Sequence, residues 1–182
     1  NSAAGGHAVA LTRRGFGALV PNGGDGVRAL PFALEGLGAA PIAGASWTPR
    51  GLLLITEDGE LLRCAGHAPD AETSTWRCAA AAEEEFAKLP MHEGAELLAA
   101  AVSEEAEQGT VIALVYKHMP EVVGIFRAAD AAWHPVGEVH VPRGASGVHL
   151  AFSGEELLVS TGAGDVLRRR LAGGVTASPA PP

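Results

Sequence analysis

The sequence predicts an all-β protein built from about four related units of antiparallel strands. Three observations predict it: a gapless internal match, apolar runs of strand length, and frequent turn residues. The chain has 182 residues, 47% of them hydrophobic, with 24 Gly and 12 Pro. That apolar fraction is close to the globular norm, so a folded core is expected. Such a Gly and Pro content suits many short strands joined by turns.

The internal match joins residues 47–63 (WTPRGLLLITEDGELLR) to residues 152–168 (FSGEELLVSTGAGDVLR). Trp47 falls on Phe152, Leu52 on Leu157, Leu53 on Leu158, Thr56 on Thr161, Gly59 on Gly164 and Arg63 on Arg168. Each copy reads as an aromatic strand end, a polar turn, an apolar strand ending in Thr, a Gly-containing turn and a strand ending in Arg. That is the pattern of consecutive hairpins. A shorter copy opens the chain, where Thr12 and Gly15 repeat the spacing of Thr56 and Gly59. A diverged copy is expected at residues 95–127, with apolar runs at 97–102, 111–116 and 122–126, a turn at His118-Met119-Pro120, and Arg127 at the end.

Trp76 and Trp133 follow the third strands after loops and mark a fourth strand in their units. Four antiparallel strands in about 45 to 55 residues is the size of a β-propeller blade. The chain therefore resembles the β-propeller repeat proteins in general, of WD-repeat or Kelch-like architecture. The opening GGHAVALT is similar to the chromosome-condensation-regulator type of repeat, without its Trp-Gly, and the Gly-His and Trp-Asp dipeptides of WD-repeats are absent. The resemblance implies one repeat domain over residues 1–172, with units at about 1–38, 39–88, 89–142 and 143–172. It also implies either a small ring or part of a larger propeller. Residues 173–182, rich in Pro and Ala, read as a disordered tail. The first unit lacks an evident first strand and the last a clear fourth.

Two segments compete with this scheme. Residues 80–87, with an Ala run before Glu83, Glu84 and Glu85, favour a short helix or an ordered loop between units. Residues 91–107 are ambiguous by propensity, and the repeat favours a strand. If both were helical the fold would be α+β.

The formal net charge is -8. An acidic chain repels phosphate backbones, so nucleic acid is not expected as a partner. The basic run Arg168-Arg169-Arg170 is short, and a strand would point its members to alternate faces. It reads first as a solvated edge, and second as a contact for an acidic partner or lipid headgroups. No apolar stretch approaches the roughly 20 residues of a membrane helix, though peripheral attachment to a membrane complex remains open. The chain begins at Asn1 rather than Met. Either a removed targeting peptide or a longer parent chain would explain it.

Cys64 ends a third strand and Cys78 lies two residues after Trp76. A hairpin turning near residue 71 would set them face to face. A disulfide closing that loop would stabilise by about 3 kcal/mol on the chain-entropy model. Reduced, half-buried thiols are the alternative. A bridge would point to a secretory or organelle lumen; otherwise the compartment is open. With His67 between them, the two cysteines fall short of a structural zinc site.

The remaining candidates are weak. His7, His67, His92, His118, His134, His140 and His149 show no ligand spacing, although the last four could converge on one rim. Glu57-Asp58 and Glu155-Glu156 sit in turns that could approach one another, but turns favour such residues anyway, and no glycosidase-like separation is implied. Ser146 lacks a nucleophile elbow. Residues 22–26 (NGGDG) lack the Lys-Ser/Thr of a phosphate loop, and Asp25 alone is too little for calcium. Trp47, Trp76 and Trp133, with Phe86, Phe126 and Phe152, are assigned to core packing. No catalytic residue, metal or cofactor is expected.

The expected function is a non-enzymatic interaction or scaffold module, an accessory subunit whose partners are other proteins. Glu83, Glu84 and Glu85 are the candidate contact patch, because unshared insertions carry specificity in repeat proteins. The alternative is a hydrolase or lyase acting on a carbohydrate-like ligand at the central face.

Overall fold

The computed structural model describes residues 7–21, 30–48, 50–65, 74–81, 88–104, 109–142 and 147–171. These residues form β-strands and no helix. In chain order the strands are β1 (His7–Leu11), β2 (Phe16–Pro21), β3 (Leu30–Glu35), β4 (Ile42–Thr48), β5 (Gly51–Thr56), β6 (Leu61–Ala65), β7 (Ser74–Ala80), β8 (Leu97–Ser103), β9 (Val111–Tyr116), β10 (Met119–Ala129), β11 (Ala132–His140), β12 (His149–Ser153), β13 (Glu156–Ser160) and β14 (Val166–Arg170).

Local chemistry sets the hairpins. After β1, β5 and β13 the chain makes the same turn. Thr12, Thr56 and Thr161 each accept from the N–H of a Gly three residues on, at 2.9–3.1 Å. Each also donates to the carbonyl four residues on, at 2.8–3.0 Å. Gly15, Gly59 and Gly164 take φ of 84°, 87° and 91° there, a region that L side chains rarely enter. This is a three-residue loop with a Gly bulge, which suits the right-handed twist of the flanking strands. At two of the turns the hydroxyl adds a cap: Thr12 Oγ1 accepts from Phe16 N–H at 3.1 Å and Thr56 Oγ1 from Glu60 N–H at 2.9 Å.

Three sheets result. One has seven strands in the order β1-β2-β3-β7-β6-β5-β4, another four in the order β11-β10-β9-β8, and the last three in the order β12-β13-β14. Among the described residues every pairing is antiparallel except that of β3 with β7. Separate four-stranded units were expected, so the parallel pair is a correction. The β1–β3 and β4–β7 halves pack face to face over one apolar core, with Phe32, Leu52, Leu54 and Trp76 inside. Their outermost strands run the same way and meet, which satisfies two edges that would otherwise be bare. The sheet so folds back on itself and is nearly closed. Ile42 N–H donates to Arg13 O at 3.0 Å where its two ends approach.

Period-2 alternation divides the apolar runs between neighbouring cores. In β5, Leu52 and Leu54 point to the β1–β3 half, while Leu53 and Ile55 point to the four-stranded sheet. In β9, Ile112, Leu114 and Tyr116 face β5, and Val111, Ala113 and Val115 face the three-stranded sheet. Both strands are buried on both faces and read as continuous apolar runs. By contrast β13 alternates: Leu157 and Val159 are fully buried, and Glu156, Leu158 and Ser160 are partly exposed.

Residues 97–103 form a strand despite three consecutive Ala, because β8 pairs along its length with β9. The α+β alternative therefore does not hold for that segment. The helix or loop expected at 80–87 lies mostly outside the described residues. The expected turn at His118-Met119-Pro120 sits slightly earlier, since β10 begins at Met119. Pro120 has no N–H to give, and the register is irregular between Met119 and Val123. Aromatic packing is uneven. Trp76 is 2% exposed and stacks on Phe32 at 4.7 Å, whereas Trp47, expected in the core, is 46% exposed and only leans on Trp76.

Candidate functional site

Three inner strands, β4, β8 and β12, each form the free edge of their own sheet and converge. With the end of β1 they line a groove of about 350 Å³. Its walls are apolar or small: Leu11, Ile42, Ala43, Gly44, Ala45, Leu98, Ala99, Ala100, Gly147, Val148 and Leu150. Thr12, Arg13 and His149 add polar atoms. The walls come close together because β4 crosses β8 backbone to backbone. A Cβ built on Gly44 would lie 1.9 Å from Ala100 O, which no rotamer could relieve. Ser46 Oγ accepts from the edge N–H of Val102 at 3.0 Å and ties the two strands further along.

Above the groove, the turn after β5 holds three pieces of the molecule together. The Glu57 side chain is 8% exposed and pairs with Arg13, from the turn after β1, and with Lys117, from the turn after β9. Lys117 also reaches Glu96 at 2.8 Å. The backbone repeats the linkage: Glu57 N–H donates to Pro41 O at 2.8 Å, and Glu57 O accepts from Leu97 N–H at 2.7 Å. A buried carboxylate needs such partners to remain charged. Beside it, Tyr116 sits between the rings of His92 and His118 and donates its hydroxyl to Pro90 O at 2.6 Å. Burial pushes the Tyr116 phenol above its ordinary value. At the opposite end of these strands Arg63 pairs with Glu104 at 2.7 Å and donates to Thr48 Oγ1 at 3.2 Å.

The end of the molecule that carries these turns also exposes large apolar groups. Phe16 follows the turn after β1, Met119 the turn after β9 and Val166 the turn after β13, exposed by 64%, 40% and 58%.

Cys64 and Cys78 are opposite one another on β6 and β7 and are joined by a disulfide. Glu83, Glu84 and Glu85 lie outside the described residues, as do His67, Phe86, Ser146 and residues 22–26. Glu57-Asp58 and Glu155-Glu156 are not brought together. Glu57 and Asp58 directly follow β5, whereas Glu155 precedes β13 and Glu156 begins it, so the two pairs stand at opposite ends of the matched strands. Nor do the later histidines converge: His118 stacks near Tyr116, while His134 and His140 lie on β11. Among the described residues no group of three His, Cys, Asp or Glu is placed to hold a metal ion. Arg168, Arg169 and Arg170 are all exposed on the edge strand β14.

Arg13, Glu57 and Lys117 were not singled out from the sequence as a site. The signal was present in the aligned repeats. Arg13, Glu57 and Gly162 directly follow the matched Thr12, Thr56 and Thr161, and Lys117 directly follows the end of β9, so one column reads Arg13, Glu57, Lys117, Gly162, with the charge alternating over the first three.

The class defined by these observations is an all-β protein of several sheets around an inner groove. The chain matches no protein-family model and no curated protein sequence. Among solved structures it is similar to Sqt1 from Chaetomium thermophilum, at 15% identity and a TM-score of 0.40 over 86% of this chain. It is also similar to a candidate 6-phosphogluconolactonase from Bacteroides uniformis, at 14% identity and a TM-score of 0.39 over 91%. The chain spans 36% of the first protein's length and 57% of the second's. Neither likeness bears on what this chain does.

Proposed function

We propose that the protein is a non-enzymatic interaction module, its units set around a common groove in the manner of a β-propeller, and that it serves as an accessory subunit of a larger protein assembly. The observation that carries this reading is the groove's lining, which consists of apolar and small side chains and exposed strand edges. Carbohydrate hydrolysis would ask for a pair of carboxylates there. The lining residues include none, and Glu57, beside Arg13, is already bound by two cations. Phe16, Met119 and Val166 supply apolar contact area at the turn-bearing end, where loops from several units can meet one partner. Glu83, Glu84 and Glu85 remain a second proposed contact. The Cys64–Cys78 bond adds an oxidising compartment to the reading.

The test is the mass of the native particle, by light scattering after gentle extraction from its source. A particle far heavier than 18.5 kDa, with protein companions, is the expected result. A compact monomer of 18.5 kDa would overturn the accessory-subunit reading.

A further inference from the structure

Opposite the inner strands, the four-stranded and three-stranded sheets end in β11 and β14. These two edges differ in what they offer a further strand. β11 is interrupted, since Pro135 has no N–H to give and the register shifts between Ile125 and Phe126 beside it. β14 keeps an unbroken register with β13 from Val166 to Arg170 and contains no Pro.

The bonds at the two ends of β14 fix the phase of its ladder. Thr161 N–H donates to Asp165 O at 3.0 Å, and Leu171 N–H to Glu155 O at 2.8 Å. Leu167 and Arg169 therefore bond to β13, while the N–H and C=O of Val166, Arg168 and Arg170 point away from it. The side chains of Arg168 and Arg170 share a face with Leu158 and Glu156, which they oppose, and Arg169 stands on the other face. All three arginines are exposed, the Arg170 side chain by 79%. Among the described residues no carboxylate pairs with Arg168 or Arg169, and Arg170 only approaches Glu155, at 3.9 Å. The chain thus leaves this edge open and its positive charge largely unmatched, although its own formal net charge is -8. Residues 172–182, which follow β14 in sequence, include no Asp or Glu.

We propose that β14 takes up an extended acidic segment of a partner protein as an added strand. Backbone bonds to Val166, Arg168 and Arg170 supply affinity, and side-chain charge supplies selectivity. Successive Asp or Glu residues alternate in face as the arginines do, so three in a row meet all three, with opposite Cβ atoms about 5 Å apart. A membrane or a nucleic acid fits less well, because each sets a wide array of anions against an acidic chain and makes no use of the backbone edge. This inference rests on the interaction reading above and names the chemistry of one partner segment, at a site apart from the groove.

The experiment uses the full 182-residue chain and three synthetic peptides. The first is Thr-Val-Glu-Glu-Glu-Val-Thr, and the second has Gln for each Glu. The third, Thr-Pro-Glu-Pro-Glu-Pro-Glu, keeps the charge but lacks the donors that a new strand needs. Hydrogen exchange of the Val166, Arg168 and Arg170 amides is followed by NMR, with those of Leu167 and Arg169 as bonded references. In the free chain the first three should exchange openly, and the Glu peptide should slow them about tenfold or more, while the Gln and Pro peptides leave them unchanged. That protection should weaken with added salt and vanish when Arg168→Gln and Arg170→Gln are combined. Slow exchange in the free chain would show that the chain covers its own edge, and would overturn the proposal. Equal protection by the Gln or Pro peptide would also overturn it. So would no protection at millimolar Glu peptide, which would leave the arginines as a guard against edge pairing. Binding to phosphatidylserine vesicles through Arg168 and Arg170, with no protection by the Glu peptide, would overturn it in favour of a lipid surface. Particle mass is a separate readout. A heavy native particle with no amide protection would retain the interaction reading and remove only this site.

Discussion

Single side chains set the tolerances of this fold. Gly44 is required because two backbones cross there, and added volume would have to move a strand rather than a side chain. Tyr116 is buried, and its neutral phenol donates to Pro90 O. In the unfolded chain the group ionises at about 10. Burial raises that value in the folded protein, so the stabilisation is complete below pH 10 and is lost as the pH climbs toward the raised value. Urea melts between pH 8 and 11.5 should show stability falling above pH 10. Tyr116→Phe should flatten that decline relative to the parent, at a cost of about 1 kcal/mol near neutral pH for the lost hydrogen bond.

At the scale of elements, the hairpins are specified locally and the β6–β7 pair is also covalently closed. The Cys64–Cys78 bond has a sequence separation of 14 and sits in the apolar core beside Trp76. By the loop-closure argument it contributes about 3 kcal/mol. Reduction, or Ser at both positions, should lower the melting temperature by roughly 6–12 °C for a chain of this size. Calorimetry with and without reductant checks it, and an unchanged melting temperature would show that the strand pairing alone holds these elements. The elements also differ in how their faces are used. β5 and β9 are apolar on both sides because sheets cover both, while β13 exchanges Ile55 and Val115 of its counterparts for Ser160 on its open side.

For the molecule as a whole, Glu57 is the point at which sheets become one body. It joins the turn after β1 and the turn after β9 through side-chain charges, and it bonds Pro41 and Leu97 through its backbone. Removing one partner of a buried ion pair is costly, though Arg13 and Lys117 are 59% and 39% exposed and would be partly resolvated. Glu57→Gln should therefore reduce stability by about 2 kcal/mol, read as a lower urea midpoint with an unchanged slope. A changed slope would mean that the sheets had come apart before unfolding. The groove depends on the same linkage, since its walls belong to strands of three sheets and meet only when the units are docked.

The sequence by itself determined the strand content, the Thr-x-x-Gly hairpins and the strand at residues 97–103, because turn geometry and period-2 apolar patterning act between near neighbours. It also placed Cys64 and Cys78 on facing strands, since a hairpin register follows from local spacing. Only the tertiary structure decided that β3 joins β7 in parallel, that Trp47 stays half outside, and that Glu57 meets Arg13 and Lys117. Those outcomes depend on how whole sheets stack. Stacking is chosen by the summed fit of apolar faces from distant parts of the chain, and no single stretch of sequence records that sum.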